Sequence, residues 1–210
     1  MSSAPKRRKT EPAPPVTRGV RADAQRNIDG LLEAAKEVFA TSGVDAPVRE
    51  IATRAGVGVG TFYRHFPRRF ELVAAVFRRE VDACAAAAST LTLKHAPGEA
   101  LSRWLWRYTS FIATKRGLAA ALHSGDPAFE SLPAYFQKHL GPALQSLLTA
   151  AVAAGEIRAG VQANDLLRAV SNLCVPDTED SVGHSERMIA LLLEGLRFGA
   201  RAPAVTPKRK

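Results

Sequence analysis

The stretch Val48 to Phe66, VREIATRAGVGVGTFYRHF, fits two short helices packed around a glycine-punctuated turn. In the first helix Ile51, Ala52 and Ala55 share one face, while Arg49 and Arg54 point the other way. Gly56 supplies a helix stop, Val57 turns back inward, and Gly58 to Gly60 lead into a second helix. There Phe62 and Phe66, one turn apart, close a small core with Ile51 and Phe39. Gly58, Gly60, Thr61, Tyr63, Arg64 and His65 are left outside. Small residues at the start of a helix let its backbone press close to base edges, and hydroxyl, phenol and imidazole groups hydrogen-bond phosphates or bases. The segment reads as a helix-turn-helix that recognises DNA.

Upstream, a first helix is expected from about Ala22 to Thr41, with Ile28, Leu31, Leu32, Ala35, Val38 and Phe39 as its apolar stripe and Gly43 as its stop. Pro47 then suits the first position of helix 2, with Asp45 or Ala46 as the cap region. At 210 residues the chain exceeds what a three-helix unit needs, so a second body is expected. Ala and Leu dominate the apolar residues, which recur at intervals of three and four, so the fold class is all-α with about nine helices.

In the second body, helix 4 should start after Pro67 and run to about Leu93, and helix 5 from about Gly98 to Lys115 after a Pro97-Gly98 break. A short helix 6 spans Gly117 to His123. Helix 7 spans Leu132 to Ala154 and is kinked or divided at Pro142. Helix 8 is capped by Asn164 and reaches Cys174; helix 9 opens at Ser185 and ends at Phe198. The apolar arc of helix 9 is too wide for one neighbour, which points to a twofold mate or, alternatively, to a central buried helix of a monomer.

The formal charge of +9 lies in the tails. Residues 1–21 carry +5 and residues 201–210 carry +4, while the 179 residues between hold 19 basic and 19 acidic side chains. DNA affinity of the folded body must therefore come from placed contacts. Residues 1–20, with Pro5, Pro12, Pro14, Pro15 and the basic run Lys6 to Lys9, read as a disordered arm that follows DNA or stays solvated. Cys84 and Cys174 show neither zinc-ligand spacing nor a disulfide framework, and no metal or cofactor is expected. No uncharged apolar run near 18 residues and no signal-peptide pattern occur, so the expectation is a cytoplasmic protein without a membrane partner. The glycines before Thr61 lack the strand and third glycine of a nucleotide loop, and no other catalytic motif is found, so an enzyme is not expected.

The run Arg49 to Val73, REIATRAGVGVGTFYRHFPRRFELV, resembles the signature of the TetR family of bacterial transcriptional regulators, closely over residues 22–77. The resemblance implies that Thr61 and the backbone around Val59 and Gly60 meet the major groove, with Tyr63 and His65 on phosphates; the exposed Gly58, Arg64 and Arg68 are further DNA-contact candidates along the same edge. Arg69 falls where the family usually has a lysine, implying a phosphate anchor. Val48 stands where the family often has a threonine, which leaves Arg49 as the expected anchor there. The resemblance also implies a helix-turn-helix domain over 21–68 and a ligand-binding and dimerisation domain over 69–200, followed by a basic tail, 201–210.

The expected function is that of a homodimeric repressor of its own or neighbouring genes, bound to a palindromic double-stranded operator and released by a small-molecule effector. Candidate effector contacts are Trp104, Tyr108, Phe111, His123, Phe129, Tyr135, Phe136, His139 and Asn172. Candidate dimer contacts are Leu166, Val170, Met188, Leu191, Leu192, Gly195, Leu196 and Gly199. A helical adaptor that does not bind DNA is the rival reading, and it leaves Tyr63 idle.

Overall fold

The computed structural model describes residues 17–174 and 181–198. The expectations for the basic arm before Thr17, for Gly199 and for the tail 201–210 lie outside the described residues. Among those described, nine α-helices and one 3-10 turn, η1 (Pro127–Phe129), account for the fold, without strands. They are α1 (Thr17–Ser42), α2 (Val48–Arg54), α3 (Val59–His65), α4 (Arg69–Lys94), α5 (Pro97–Gly117), α6 (Ala119–Leu122), α7 (Leu132–Ala153), α8 (Ala163–Leu173) and α9 (Ser181–Arg197).

The first helix begins at Thr17, so the boundary of the arm at residue 20 moves upstream. Nothing between Pro15 and Ala22 bars a helix, and Gly19 alone costs only about 1 kcal/mol. Gly43 and Gly56, with φ of 76° and 69°, end α1 and α2 in the left-handed conformation that a Cβ disfavours. Pro47 is the cap of α2 rather than its first residue: at φ −59°, ψ 134° its carbonyl accepts the Glu50 N–H at 2.9 Å. Pro97 opens α5 instead of breaking the pattern, because a first-turn proline has no N–H to lose.

The spine is α4, 26 residues long, with Leu72, Val73, Val76, Phe77, Val81 and Cys84 buried along it. Its N-terminal half lies on α1. There Lys36 pairs with Glu80 at 3.0 Å, Arg79 pairs with Glu33 at 3.2 Å, and Arg79 Nη1 donates to the Asp29 carbonyl at 2.7 Å. Its C-terminal half packs on α5 and α7. Fully buried Trp104 of α5 donates from Nε1 to the Cys84 carbonyl at 2.8 Å, which satisfies the indole inside the core. Burial pushes the Cys84 thiol up to about 12, the behaviour of a core residue rather than a nucleophile.

Three expectations are corrected along the body. Helix α7 continues through Pro142 as one helix, which overturns the divided alternative. The carbonyl deprived of a partner belongs to exposed Lys138, where water can serve it, while Leu140 and Leu144 on the far side hold the helix to the core. Gln162, not Asn164, caps α8, because Ala163, Leu166, Leu167 and Val170 all turn inward and packing overrides the better capping side chain. Helix α9 starts one turn before Ser185, whose Oγ instead donates to the Leu173 carbonyl at 3.0 Å and ties α9 to α8.

A side-chain cap also fixes the start of α5: the Gly98 N–H donates to Glu156 Oε2 at 2.8 Å, from the turn after α7. A carboxylate there meets both the unpaired N–H and the positive end of the helix. Glu156→Ala is expected to lower stability by about 1 kcal/mol, read from urea unfolding midpoints. An unchanged midpoint would show that the cap contributes nothing.

Candidate nucleic-acid interface

The two short helices meet as their apolar spacing requires. Ile51 and Phe62 are fully buried and Phe66 nearly so, with the Phe62 and Phe66 rings 6.2 Å apart. The turn is closed by the backbone: Gly56 N–H donates to Thr53 O at 3.1 Å and Val57 N–H to Ala52 O at 3.0 Å. Opposite this core, α3 presents Gly58, Val59, Gly60 and Tyr63, the last 51% exposed and edge-on to Phe62 at 5.3 Å.

Gly58 and Gly60 are informative because nothing within the chain demands them. Neither has a positive φ, and a Cβ built on either meets no atom within 4 Å. In the first turn of α3, Gly60 weakens the helix by roughly 0.5–1 kcal/mol relative to alanine. Its effect there is to leave the surface of α3 flat at that point.

The cationic side chains are arranged less simply than their spacing suggests. Arg64 folds back along α3, donating to the Gly60 carbonyl at 3.3 Å and to Thr61 Oγ1 at 3.1 Å, and so orients the Thr61 hydroxyl. Arg68 pairs with Glu71 at 3.1 Å at the start of α4. Arg49 of α2 is exposed and makes no side-chain bond with the described residues, and His65 is half-buried at the end of α3. Arg69 departs from its expected role as a phosphate anchor. Its guanidinium is turned into the protein, Nη2 donating to the Ala46 carbonyl at 2.7 Å and Nη1 to the Val44 carbonyl. The fork of Arg matches two adjacent carbonyls, which explains the inward choice.

The residues proposed to hold an effector separate into four groups. Trp104, Tyr108 and Phe111 are buried in a stacked column, with ring separations of 5.7 and 6.0 Å, and belong to the core. The Tyr108 hydroxyl is bonded to Ser171 Oγ at 2.8 Å, and burial raises its pKa above the ordinary phenol range. Tyr135 and His139 stack at 4.0 Å on the outer side of α7, where the Tyr135 hydroxyl donates to Asp82 at 2.6 Å. The Tyr135–Asp82 bond joins α7 to α4, and desolvation together with that carboxylate pushes the Tyr135 hydroxyl up to about 12. Asn172 is exposed on α8. His123, Phe129 and Phe136 do come together, with Phe77, Leu122, Leu132, Pro133 and Gln137, around a cavity of about 300 Å³ between α4, α6, η1 and α7. Phe77, Leu122, Leu132, Pro133 and Gln137 are not among the expected contacts, since sequence does not say which side chains border a void.

Of the expected dimer residues, Leu166, Val170 and Leu196 are buried within their own chain and are unavailable to a second copy. On α9, Leu191 is 61% exposed, Met188 and Leu192 are half-buried and Gly195 is exposed, and Phe198 just beyond the helix stands out in solvent. No helix among the described residues is long and apolar enough to cross a membrane.

Residues 31–76 match the profile of bacterial regulatory proteins of the TetR family, and residues 96–198 match the C-terminal domain of SbtR-like transcriptional regulators. The chain belongs to the TetR family. A TetR transcriptional regulator of Streptomyces coelicolor is 36% identical with a TM-score of 0.69, covering 81% of this chain and 98% of that one. A TetR regulatory protein of Mycobacterium vanbaalenii is 37% identical with a TM-score of 0.67, covering 85% and 99%. The chain is also 40% identical over 82 residues to the HTH-type transcriptional activator FasR of Mycolicibacterium smegmatis, which is 39% of this chain and 37% of that protein. It spans little more than a third of the length of the curated relatives it matches. The first TetR profile encloses α2, α3 and the start of α4, the elements that carry the exposed glycines and Tyr63.

Proposed function

We propose that the protein is a ligand-responsive transcriptional regulator that binds a palindromic operator as a homodimer and leaves it when a small molecule fills the body. The observation that carries the DNA reading is Gly60, a destabilising glycine in the first turn of α3 with open space where its Cβ would be. It lets the α3 backbone lie against base edges while Thr61 reads and Tyr63, His65 and Arg49 reach phosphates. The exposed apolar side chains of α9 support a twofold mate there, built on Leu191, Leu192, Met188 and Phe198. Two α3 helices related by that axis would read half-sites about one helical turn apart or slightly more.

The cavity beside α4 supports the effector site. Its walls are mostly aromatic and aliphatic, with His123 and Gln137 as polar groups, which suits a small apolar molecule carrying a hydrogen-bonding substituent. Release would need the ligand to favour one form by the usual coupling of about 1–3 kcal/mol. Repression follows where the operator overlaps a promoter. The reading unit itself carries no sign, and the relative from Mycolicibacterium smegmatis is named an activator.

Selection of sites from random duplex DNA with the full chain is expected to enrich a palindrome. Enrichment of nothing, or of non-palindromic sequence alone, would sink the proposal. Gly60→Ala provides a sharper check, because its two effects have opposite signs. It is expected to stabilise the fold by about 0.5–1 kcal/mol in urea unfolding while weakening operator binding. A variant that gains stability and keeps full affinity would show that the flat surface is not used.

A further inference from the structure

We infer that Arg69 is a positioning residue whose guanidinium latches the first turn of α4 onto the α1–α2 turn and so fixes the angle at which α3 meets DNA. The inference rests on the proposed DNA-binding function and concerns how that surface is held and released.

The latch joins distant parts of the chain. Half-buried Arg69 reaches back to the carbonyls of Val44 and Ala46, whose own side chains are buried in the core. The next residue after them is Pro47, the cap on which α2 starts, and α2 carries α3 through their shared core. Arg69 therefore grips the element from which the DNA-reading pair departs. Its neighbours Arg64 and Arg68 are occupied differently, one along α3 and the other on Glu71, so neither duplicates the latch.

The same helical turn also faces the cavity. Phe70 packs edge-on against Phe129 with ring centroids 5.5 Å apart, and Phe129 is part of the cavity wall. Consecutive side chains on a helix project about 100° apart, so one turn can touch both the wall of the cavity and the turn that seats α2. A molecule that displaces Phe129 acts on Phe70 and, through one peptide unit, on the latch. The route is a contiguous set of packed and hydrogen-bonded groups with a discrete closed arrangement, the kind of element that both sites can bias.

A latch and a phosphate anchor make different demands. If the latch is weakened, the DNA-competent angle is populated for a smaller fraction of the time and the apparent affinity falls by that fraction. The competent form still touches the same phosphates, so the salt dependence of binding keeps its slope. Losing a phosphate contact instead flattens that slope by about 0.9.

Arg69→Lys separates the two, because lysine keeps the charge but lacks the fork that spans two carbonyls. In the full chain, titrated with the selected operator over a potassium chloride series, the variant is expected to bind about tenfold more weakly, as when the competent fraction falls to about a tenth. Its log–log salt slope should equal that of the wild type, and its binding to an unrelated duplex of equal length should be unchanged. Wild-type affinity, or weaker binding with a flattened slope, would overturn the inference. Hydrogen exchange supplies an arm that needs no DNA. Amides of residues 44–46 and 48–50 should exchange about tenfold faster in Arg69→Lys while the α5 and α7 amides are unaffected, and equal exchange would overturn the latch. If the wild type enriches no operator at all, the DNA reading fails, and exchange still decides whether the latch exists.

Discussion

Phe62→Ala is expected to cost about 3–5 kcal/mol of stability and to abolish operator binding. Phe62 has no exposed surface and stands between α2 and α3, with the Tyr63 ring edge-on at 5.3 Å and the Phe66 ring at 6.2 Å. Helix α3 has seven residues, two turns, which water alone would not keep helical. Its order therefore comes from burying Phe62 against Ile51 and the α1 core. Truncation leaves a cavity at the one contact that holds the helix down, and Phe62→Leu should recover much of the loss because it refills most of that volume. Urea unfolding gives the stability change, and titration with the selected operator gives the binding change. A Phe62→Ala protein with a wild-type midpoint would mean that α3 is held by something other than this core.

The same logic explains which parts of the structure could be read from residues alone. The α2–α3 unit was legible because each of its signals acts locally: apolar side chains one turn apart, a glycine where φ must be 69°, and exposed polar groups between them. Helix starts were less so. Asn164 is the better capping residue, yet α8 starts with Ala163 because four inward-facing side chains decide the matter by packing. Pro142 breaks helices in isolation but is tolerated where its orphaned carbonyl lies on an exposed face.

The site residues divide along a similar line. Arg69 was expected to face DNA, but its partners are backbone carbonyls 25 and 23 positions upstream, and a carbonyl leaves no mark in the sequence. Leu166 and Val170 fitted an interface by type, whereas the body consumes that face of α8 for its own core. For the cavity, aromatic character identified Phe129 and Phe136 but equally Trp104 and Tyr108, which fill the centre. Whether a large apolar side chain borders a void or closes one depends on how three helices meet, a property that no single helix encodes.

The second large effect concerns the residue next to Phe62. Tyr63→Phe is expected to leave stability nearly unchanged and to weaken operator binding by about a hundredfold or more. The ring stays, so its edge-on contact with Phe62 at 5.3 Å is kept, and the side chain is 51% exposed, so no buried group loses a partner. What disappears is one hydroxyl per protomer. A hydrogen bond to a charged group contributes about 1.5–3 kcal/mol, and the proposed twofold complex would lose it at both half-sites, about 3–6 kcal/mol altogether. The hydroxyl carries no charge, so it releases no counterion, and the salt slope should stay at the wild-type value while every operator variant is weakened alike. Operator titrations at several salt concentrations measure both quantities. Full affinity in Tyr63→Phe would place the phenol off the DNA and leave Arg49 and His65 as the remaining phosphate contacts of α2 and α3, whereas loss confined to particular base substitutions would move Tyr63 from the backbone to a base edge.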